Sequence, residues 1–463
     1  MRADTAPGLD LSQPRRLHLV GVAGAGMSAL ASVLVGMGHR VSGSDSATAP
    51  VLDRLAAEGV AVRAGNRAEH VEVDTDAVIY STAVPLDNVE LRAAATLGVP
   101  VVHRGVALGA MSAIRRTIAV AGSHGKTSTS ALLVSVLRAG GLDPGFVIGA
   151  DVVALGTNAA AGAGEWLVLE ADESDGSFLR LRPEVALVTN VEPDHLDFYG
   201  GFDPLVGAFG RFLAGPPVRW CCADDPVAAR LAVEHDARTY GTAVGASVRL
   251  TGERVAEGRV RLAVEAGSGA FPECTVPVGV KVGVNATGAA AVATAIGVAP
   301  EAVATGLEAF RGVVRRFEFR GERDGVAYVD DYAHLPTEVA AAIETARGAG
   351  WRRVVAVFQP HRFSRTASIG ADFADAFSGA DEVVITDVYP AGEQPIPGVS
   401  GRTVLNAVLD RHPRLPVSYL PRRDDLLDVP RRLARAGDVV LTLGAGDLTK
   451  LPDLWLAVGG GRP

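Results

Sequence analysis

Between residues 117 and 139 a short apolar run (Thr117-Ile118-Ala119-Val120-Ala121) enters a glycine turn, Gly122-Ser123-His124-Gly125-Lys126-Thr127-Ser128-Thr129. An Ala/Leu/Val-rich stretch with helical patterning, 130–139, follows. A strand that runs through glycines and Lys-Thr into a helix is a phosphate cradle, because backbone N–H groups and the helix N-terminus converge on one anion. The Lys126 ammonium can reach terminal phosphates, and the Thr127 hydroxyl can ligate Mg²⁺. The strict Walker spacing requires Gly at position 120, which is Val, so this is a shortened Gly-x-x-Gly-Lys-Thr form. Lysine usage adds weight: Lys126, Lys281 and Lys450 are the only lysines among 44 basic residues. The competing reading is a glycine-rich turn that carries a surface lysine.

A length of 463 residues corresponds to about three domains of ~150 residues each. With 48% apolar and 21% charged residues the composition is that of an ordinary globular protein. The net charge of −9 and the lack of a basic block argue against a nucleic-acid partner. Cys221 and Cys222 are adjacent and Cys274 stands alone, with no metal or redox spacing; a reduced, cytoplasmic setting is expected. Residues 1–14 lack an apolar signal core, and no uninterrupted apolar run of about 18 residues predicts a membrane span.

Three blocks alternate strands and helices. The first has a predicted strand over 17–20, the turn Gly21-Val22-Ala23-Gly24-Ala25-Gly26, a helix over 27–37 and a strand over 40–42 that ends at Asp45. An acidic residue ~20 positions beyond a glycine turn can bind a ribose hydroxyl. The glycine order is not that of the dinucleotide fingerprint, so a turn without ligand stays open. Strands are also predicted over 77–80 and 99–103.

In the second block, beginning near Arg115, a strand over 166–170 runs into Ala171-Asp172-Glu173-Ser174-Asp175. Another over 185–189 runs into Asn190-Val191-Glu192-Pro193-Asp194-His195-Leu196-Asp197. With the phosphate loop, both clusters sit at the C-terminal ends of predicted parallel strands, where open α/β sheets bind ligands. Thr127, Glu173 and His195 come from three consecutive strand ends and can converge on a metal–nucleotide. Of Glu170, Asp172, Glu173 and Asp175, one or two at most need be functional; His195 alone reads as a loop-capping histidine. A β-rich stretch, 249–277, precedes a helix over 285–296. The third block, from near Arg316, has strands predicted over 326–329, 353–358, 382–387 and 438–443 with helices between, which implies another parallel sheet.

The chain resembles the Mur ligases along essentially its whole length. The matching segments are 21–29 (GVAGAGMSA), 122–129 (GSHGKTST), 170–175 (EADESD), 190–197 (NVEPDHLD), Arg315-Arg316-Phe317, 330–338 (DDYAHLPTE), 358–366 (FQPHRFSRT) and 387–401 (DVYPAGEQPIPGVSG). The last two are the most specific and look like the alanine-adding branch. Later-acting members carry a carbamylated lysine after the His-x-Asp segment; here no lysine lies between 127 and 280.

The resemblance implies an α/β, three-domain architecture: a Rossmann-like UDP-sugar-binding domain (1–114), a P-loop-type ATPase domain (115–314) and a Rossmann-like amino-acid-binding domain (315–463). It implies an ATP- and Mg²⁺-dependent ligase of peptidoglycan synthesis that acts on UDP-N-acetylmuramate and L-alanine, as a monomer or weak homodimer. Lys126, Glu173 and His195 would be catalytic, with Thr127, Glu173 and His195 serving the metal. Gly122, Ser123, His124, Gly125, Lys126, Thr127, Ser128, Asn285, Arg316 and Asp331 would contact ATP. Gly21, Gly24, Gly26, Met27, Ser28 and Asp45 would hold the UDP-sugar, and Tyr332, His334, Arg362 and Arg365 the amino acid. The sequence departs from the family pattern at Lys281-Val282 (usually His-Asn), Leu335 (usually His), Ala23 (usually Gly) and Gly105-Val106 (usually Ala-Glu).

Overall fold

The computed structural model describes residues 9–267 and 269–457, so the first eight residues of the segment read as signal-free lie outside the described residues. The chain forms two compact units. One holds residues up to 253 with 262–275 and 283–311; the other holds 254–261, 276–282 and 312 onward.

In the first unit a five-stranded parallel sheet runs in the order Ala61–Ala64, Arg40–Asp45, Arg16–Val20, Ala77–Tyr80, Val101–His103. The order reverses at the first strand, so the glycine turn that follows it lies at the switch point where such sheets bind ligands. The helix after this turn spans Ala25–Gly36 and starts two residues ahead of the sequence expectation, because Gly24 is extended and caps it. Its apolar residues Leu30, Val33 and Leu34 are buried in one core with Leu17, Leu19, Val147, Ala159 and Leu167. Gly36 lets the helix approach closely, since a Cβ there would stand 2.6 Å from the Ala161 methyl. A continuous core thus joins the first sheet to the hairpin Gly145–Val152/Thr157–Ala160 of the second.

The second sheet contains the run Arg238–Gly241, Val218–Cys222, Val185–Val188, Arg116–Ala121, Trp166–Glu170, Gly145–Val152, Thr157–Ala160. All these pairings are parallel except the last hairpin. The phosphate-loop strand lies at its centre, flanked by the two strands that lead into the acidic clusters. All six residues after Arg116 up to Gly122 are buried, the signature of a parallel strand covered on both faces.

The second unit has a six-stranded sheet in the order Glu318–Arg323, Val326–Asp331, Val439–Leu443, Val354–Phe358, Glu382–Ile385, Val417–Tyr419. Only the first strand is antiparallel. The last long strand inserts between the second and the third, a second switch point. The α/β fold class expected from the sequence is the one observed. Among the described residues no helix is long and apolar enough to cross a membrane.

Candidate active site

The phosphate loop is clamped by the next strand end. Asn190 Oδ1 accepts from the His124 N–H (2.8 Å) and its amide donates to the His124 carbonyl (2.9 Å), while the Thr189 hydroxyl donates to the same carbonyl (2.6 Å). The Ser123 hydroxyl accepts from the Glu192 N–H at 2.8 Å. Gly122 has φ +139°, and a Cβ on it would fall 2.0 Å from the Thr189 hydroxyl; Gly125 has φ +81° and abuts the Asn285 side chain. Both glycines are therefore obligatory. Asn285, on helix Val282–Ala295, is brought to the loop as expected.

The helix begins at Lys126, not near 130, so Lys126, Thr127 and Ser128 form its first turn. Lys126 Nζ curls back onto the carbonyls of Gly122 and Ser123 and lies 3.0 and 2.9 Å from the two Glu173 oxygens. Burial alone would depress this ammonium, but Glu173, Glu170 and Asp172 outweigh it and hold its pKa above the ordinary lysine value. Burial pushes the Glu173 carboxyl up, opposed by Lys126. Asp172 is lowered: its burial is overcome by Lys126 and by hydrogen bonds from Ser174.

The carboxylate on Thr127 is Glu170, whose Oε1 accepts from the Thr127 hydroxyl at 3.0 Å and whose Oε2 accepts from the Gly149 N–H at 2.7 Å. Sequence reasoning passed over Glu170 in favour of Glu173, although its place at the strand end, beside the loop, was the available signal. It also missed Asn190. His195 has left-handed backbone (φ +52°) and its Nε2 lies 3.2 Å from Asp194. The short helix that it opens returns to the cluster through Tyr199, whose hydroxyl donates to the Glu173 carbonyl. Among the described residues, no group of three or more His, Cys, Asp and Glu side chains has metal-binding geometry by itself. The oxygen set available around Lys126 is the Thr127 hydroxyl with the Glu170 and Glu173 carboxylates. Such hard donors, few in number, suit Mg²⁺, which keeps several waters and shares phosphate oxygens; the residues present fit it.

At the first glycine turn, Gly21 (φ +76°) and Val22 donate to the Ser44 carbonyl, and the Ala23 N–H donates to Asp45 Oδ2 (2.9 Å). Asp45 Oδ1 accepts from the Ala47 N–H (2.8 Å), so this carboxylate is a lock for the turn. Gly24 caps the helix without any side-chain acceptor, leaving its N-terminus to an anion. Met27 and Ser28 are buried: the Met27 side chain belongs to the core, and the Ser28 hydroxyl donates to the Ala25 carbonyl. These two side chains support the turn from beneath.

In the second unit Asp331 is buried at the end of strand Val326–Asp331, its oxygens accepting from the Phe317 and Ala333 N–H groups at 2.7 Å each. Burial pushes its pKa up to about 6, opposed by Arg316. The Arg315 and Arg316 guanidiniums lie 4.8 and 5.0 Å from the centre of the Tyr332 ring. His334 packs against Tyr332 and against His361, which stacks on Tyr389 with ring planes 9° apart. Arg365 Nη1 lies 3.3 Å from His361 Nδ1, and Arg362, at φ +68°, donates its N–H to the Tyr389 carbonyl. Desolvation, His334, Arg365 and Arg362 push His361 down to about 4, so its imidazole is neutral at pH 7. All four residues assigned to the amino acid thus gather on one cluster, together with His361 and Tyr389. The latter two were not singled out, although both lie in the most specific matching segments. Arg315, Phe317 and Arg362 have positive φ, a strain that recurs at ligand sites.

Three family models match in succession: "Mur ligase family, catalytic domain" over residues 16–116, "Mur ligase middle domain" over 120–293, and "Mur ligase, glutamate ligase domain" over 315–446. Relatives named UDP-N-acetylmuramate–L-alanine ligase include one from Rubrobacter xylanophilus, 42% identical over 452 residues and covering 96% of this chain and 99% of that one. Another, from an Arthrobacter species, is 46% identical over 400 residues, 84% of each chain. Among solved structures, the UDP-N-acetylmuramate-alanine ligase of Thermotoga maritima superposes with a TM-score of 0.80 at 27% identity, covering 96% of this chain and 98% of that one. A murein peptide ligase from Psychrobacter arcticus shares the fold (TM-score 0.69, 22% identity, 97% and 100% covered). With three consecutive domain matches and full-length relatives above 40% identity, the chain belongs to the Mur ligase family.

Proposed function

We propose that this protein is an ATP-dependent ligase that joins L-alanine to the lactyl carboxylate of UDP-N-acetylmuramate, releasing ADP and phosphate, and that it acts in the cytoplasm on the path to peptidoglycan. The observation that carries this reading is the clamped phosphate loop with Lys126 set among Glu170, Asp172 and Glu173, in a chain whose full-length relatives bear that enzyme's name. Residues 1–114 hold the UDP-sugar, 115–314 the ATP and 315–463 the amino acid.

A lactyl carboxylate oxygen attacks the γ-phosphorus and the bond to ADP breaks, which gives an acyl phosphate. The alanine nitrogen then attacks the acyl carbon; the tetrahedral intermediate expels phosphate, and the nitrogen loses a proton as the amide forms. Positioning and charge neutralisation do most of the work. The loop N–H groups and the first turn of helix Lys126–Ala139 hold the phosphates. Lys126, released from Glu173 by the arriving anion, follows the transferring phosphoryl group. Thr127, Glu170 and Glu173 would hold Mg²⁺, with His195 as the further ligand that the family resemblance implies, and the ion would supply charge neutralisation at the phosphoryl oxygens. Asn285 flanks the loop, and Arg316 and Asp331 are assigned to the nucleotide by the family resemblance. An arginine, Arg362 or Arg365, pairs with the alanine carboxylate beside Tyr332 and His334. The Gly21–Gly26 turn takes the pyrophosphate of the UDP-sugar, with Asp45 fixing the turn.

The test is phosphate release by the purified protein with ATP, Mg²⁺ and UDP-N-acetylmuramate, with and without L-alanine. Alanine-dependent release that vanishes in Lys126→Ala is expected. Binding of ATP and of the UDP-sugar without alanine-dependent release would sink the reading. Release driven by a tripeptide and not by alanine would move it to the peptide-recycling branch.

A further inference from the structure

Arg104 opens helix Arg104–Ile114, directly after the last strand of the first sheet, and its guanidinium lies over the first glycine turn. A Cβ on Gly26 would stand 2.8 Å from Arg104 Nη1, so the group occupies the space that a side chain would take. Arg104 Nη2 donates to Asp172 (3.1 Å) and Asp175 (3.4 Å). Its Nε–H is buried without a hydrogen-bond partner, so the protein does not saturate the donors of this fork.

The helix is brought close by two glycines. A Cβ on Gly105 would meet the Ser177 Cβ at 2.7 Å, and one on Gly109 would meet the Arg180 carbonyl at 2.7 Å. At position 105, where the family pattern has Ala, this chain has Gly and the neighbouring segment fills the space. The Arg104 backbone is therefore pinned against the same segment that supplies its carboxylate braces.

We propose that Arg104 is a pyrophosphate-binding residue of the UDP-sugar site, held over Gly26 by Asp172 and Asp175. This rests on reading the Gly21–Gly26 turn as the pyrophosphate seat. A guanidinium presents five N–H donors in a fixed fork. The aspartates fix one nitrogen, and Nη1, over Gly26, remains for an anion at the uncapped N-terminus of helix Ala25–Gly36.

Calorimetric titration of the full-length protein with UDP-N-acetylmuramate, and separately with ADP, tests this in wild type, Arg104→Gln, Asp175→Asn and the double variant. Arg104→Gln is expected to weaken UDP-N-acetylmuramate by about 10- to 100-fold and to leave ADP affinity unchanged. Asp175→Asn should weaken it less, and the double variant should lose no more than Arg104→Gln alone, since the brace acts only through the arginine. Wild-type affinity for the UDP-sugar in Arg104→Gln, or a parallel loss of ADP affinity, would overturn the inference and make Arg104 a structural strut. Failure of the wild type itself to bind UDP-N-acetylmuramate would instead overturn the functional reading on which it rests.

Discussion

The Asp331→Asn substitution separates what burial costs from what hydrogen bonding returns. Asp331 is 5% exposed, and its carboxyl titrates at about 6 in the folded chain against an ordinary 3.8. Between those values the folded protein binds a proton that the unfolded chain has already released, so stability falls as pH rises through the window and is level above it. The difference of about two pH units amounts to about 3 kcal/mol of destabilisation at pH 8; at pH 5 about 1.4 kcal/mol of that has been recovered. Asparagine removes the charge and keeps the shape. It offers one oxygen where two accepted from Phe317 and Ala333, and an orphaned N–H costs about 1–2 kcal/mol. The net expectation at pH 8 is a gain of about 1–2 kcal/mol, or about 2–4 °C per kcal/mol in the transition of a unit this size. Scanning calorimetry of the full-length protein should show Asp331→Asn melting higher than wild type at pH 8 and losing most of that advantage at pH 5. Ligase activity should fall in the same variant, because the charge that destabilises the fold is the one assigned to the nucleotide. A variant that melts lower at pH 8, or a gap that ignores pH, would refute the reasoning and mean that the two hydrogen bonds outweigh the cost of burying the charge.

Glu170→Gln should raise the Mg²⁺ concentration for half-maximal phosphate release by about tenfold and leave the KM for UDP-N-acetylmuramate unchanged; an unaltered Mg²⁺ dependence would reduce Glu170 to a brace between Thr127 and Gly149. Asn190→Ala strips the clamp from both sides of the His124 peptide and should weaken ADP by a factor that corresponds to about 1–3 kcal/mol, read by titration. In Gly122→Ala the added methyl collides with Thr189 and the required φ turns unfavourable, so ADP binding should be lost, and retention of wild-type affinity would show that the loop has slack.

Most of the fold was readable because parallel strands buried on both faces are short, uniformly apolar and followed by glycine turns. The strands at Ala77–Tyr80 and Trp166–Glu170 coincide with their sequence-based ranges. What escaped was structure whose pattern is set by neighbours. Gly145–Val152 contains two glycines and an aspartate and becomes a strand only because Trp166–Glu170 and Thr157–Ala160 lie on either side of it. Val218–Cys222 and Arg238–Gly241 each carry an arginine, Arg219 half-buried and donating to the Pro216 and His235 carbonyls and Arg238 exposed, which hid them from a search for apolar runs. Helix starts were placed late at 27, 130 and 285; the first turns of the first two, Ala25-Gly26-Met27-Ser28 and Lys126-Thr127-Ser128-Thr129, carry glycine, lysine, threonine and serine, which read as loop until an anion site explains why they are helical.

The site was legible as chemistry and less so as geometry. Periodicity placed Thr127, the 170–175 cluster and the 190–197 cluster on adjacent strand ends, and strand order then brought them together. It could not tell which carboxylate faces which partner, because Glu170 and Glu173 differ by three positions across the point where the strand stops. Within the strand, alternation would have sent Glu170 to one face; at its end the side chain bends to Thr127 and Gly149, while Glu173 turns in to meet Lys126. Asp172 and Asp175, set aside as surplus acids, hold Arg104 instead. Four carboxylates in six residues therefore divide into one on the threonine, one on the lysine and two on an arginine nearly seventy positions earlier in the chain. An acidic run beside a phosphate loop is a set of addresses, and each is read from the cation or hydroxyl that folding places opposite it.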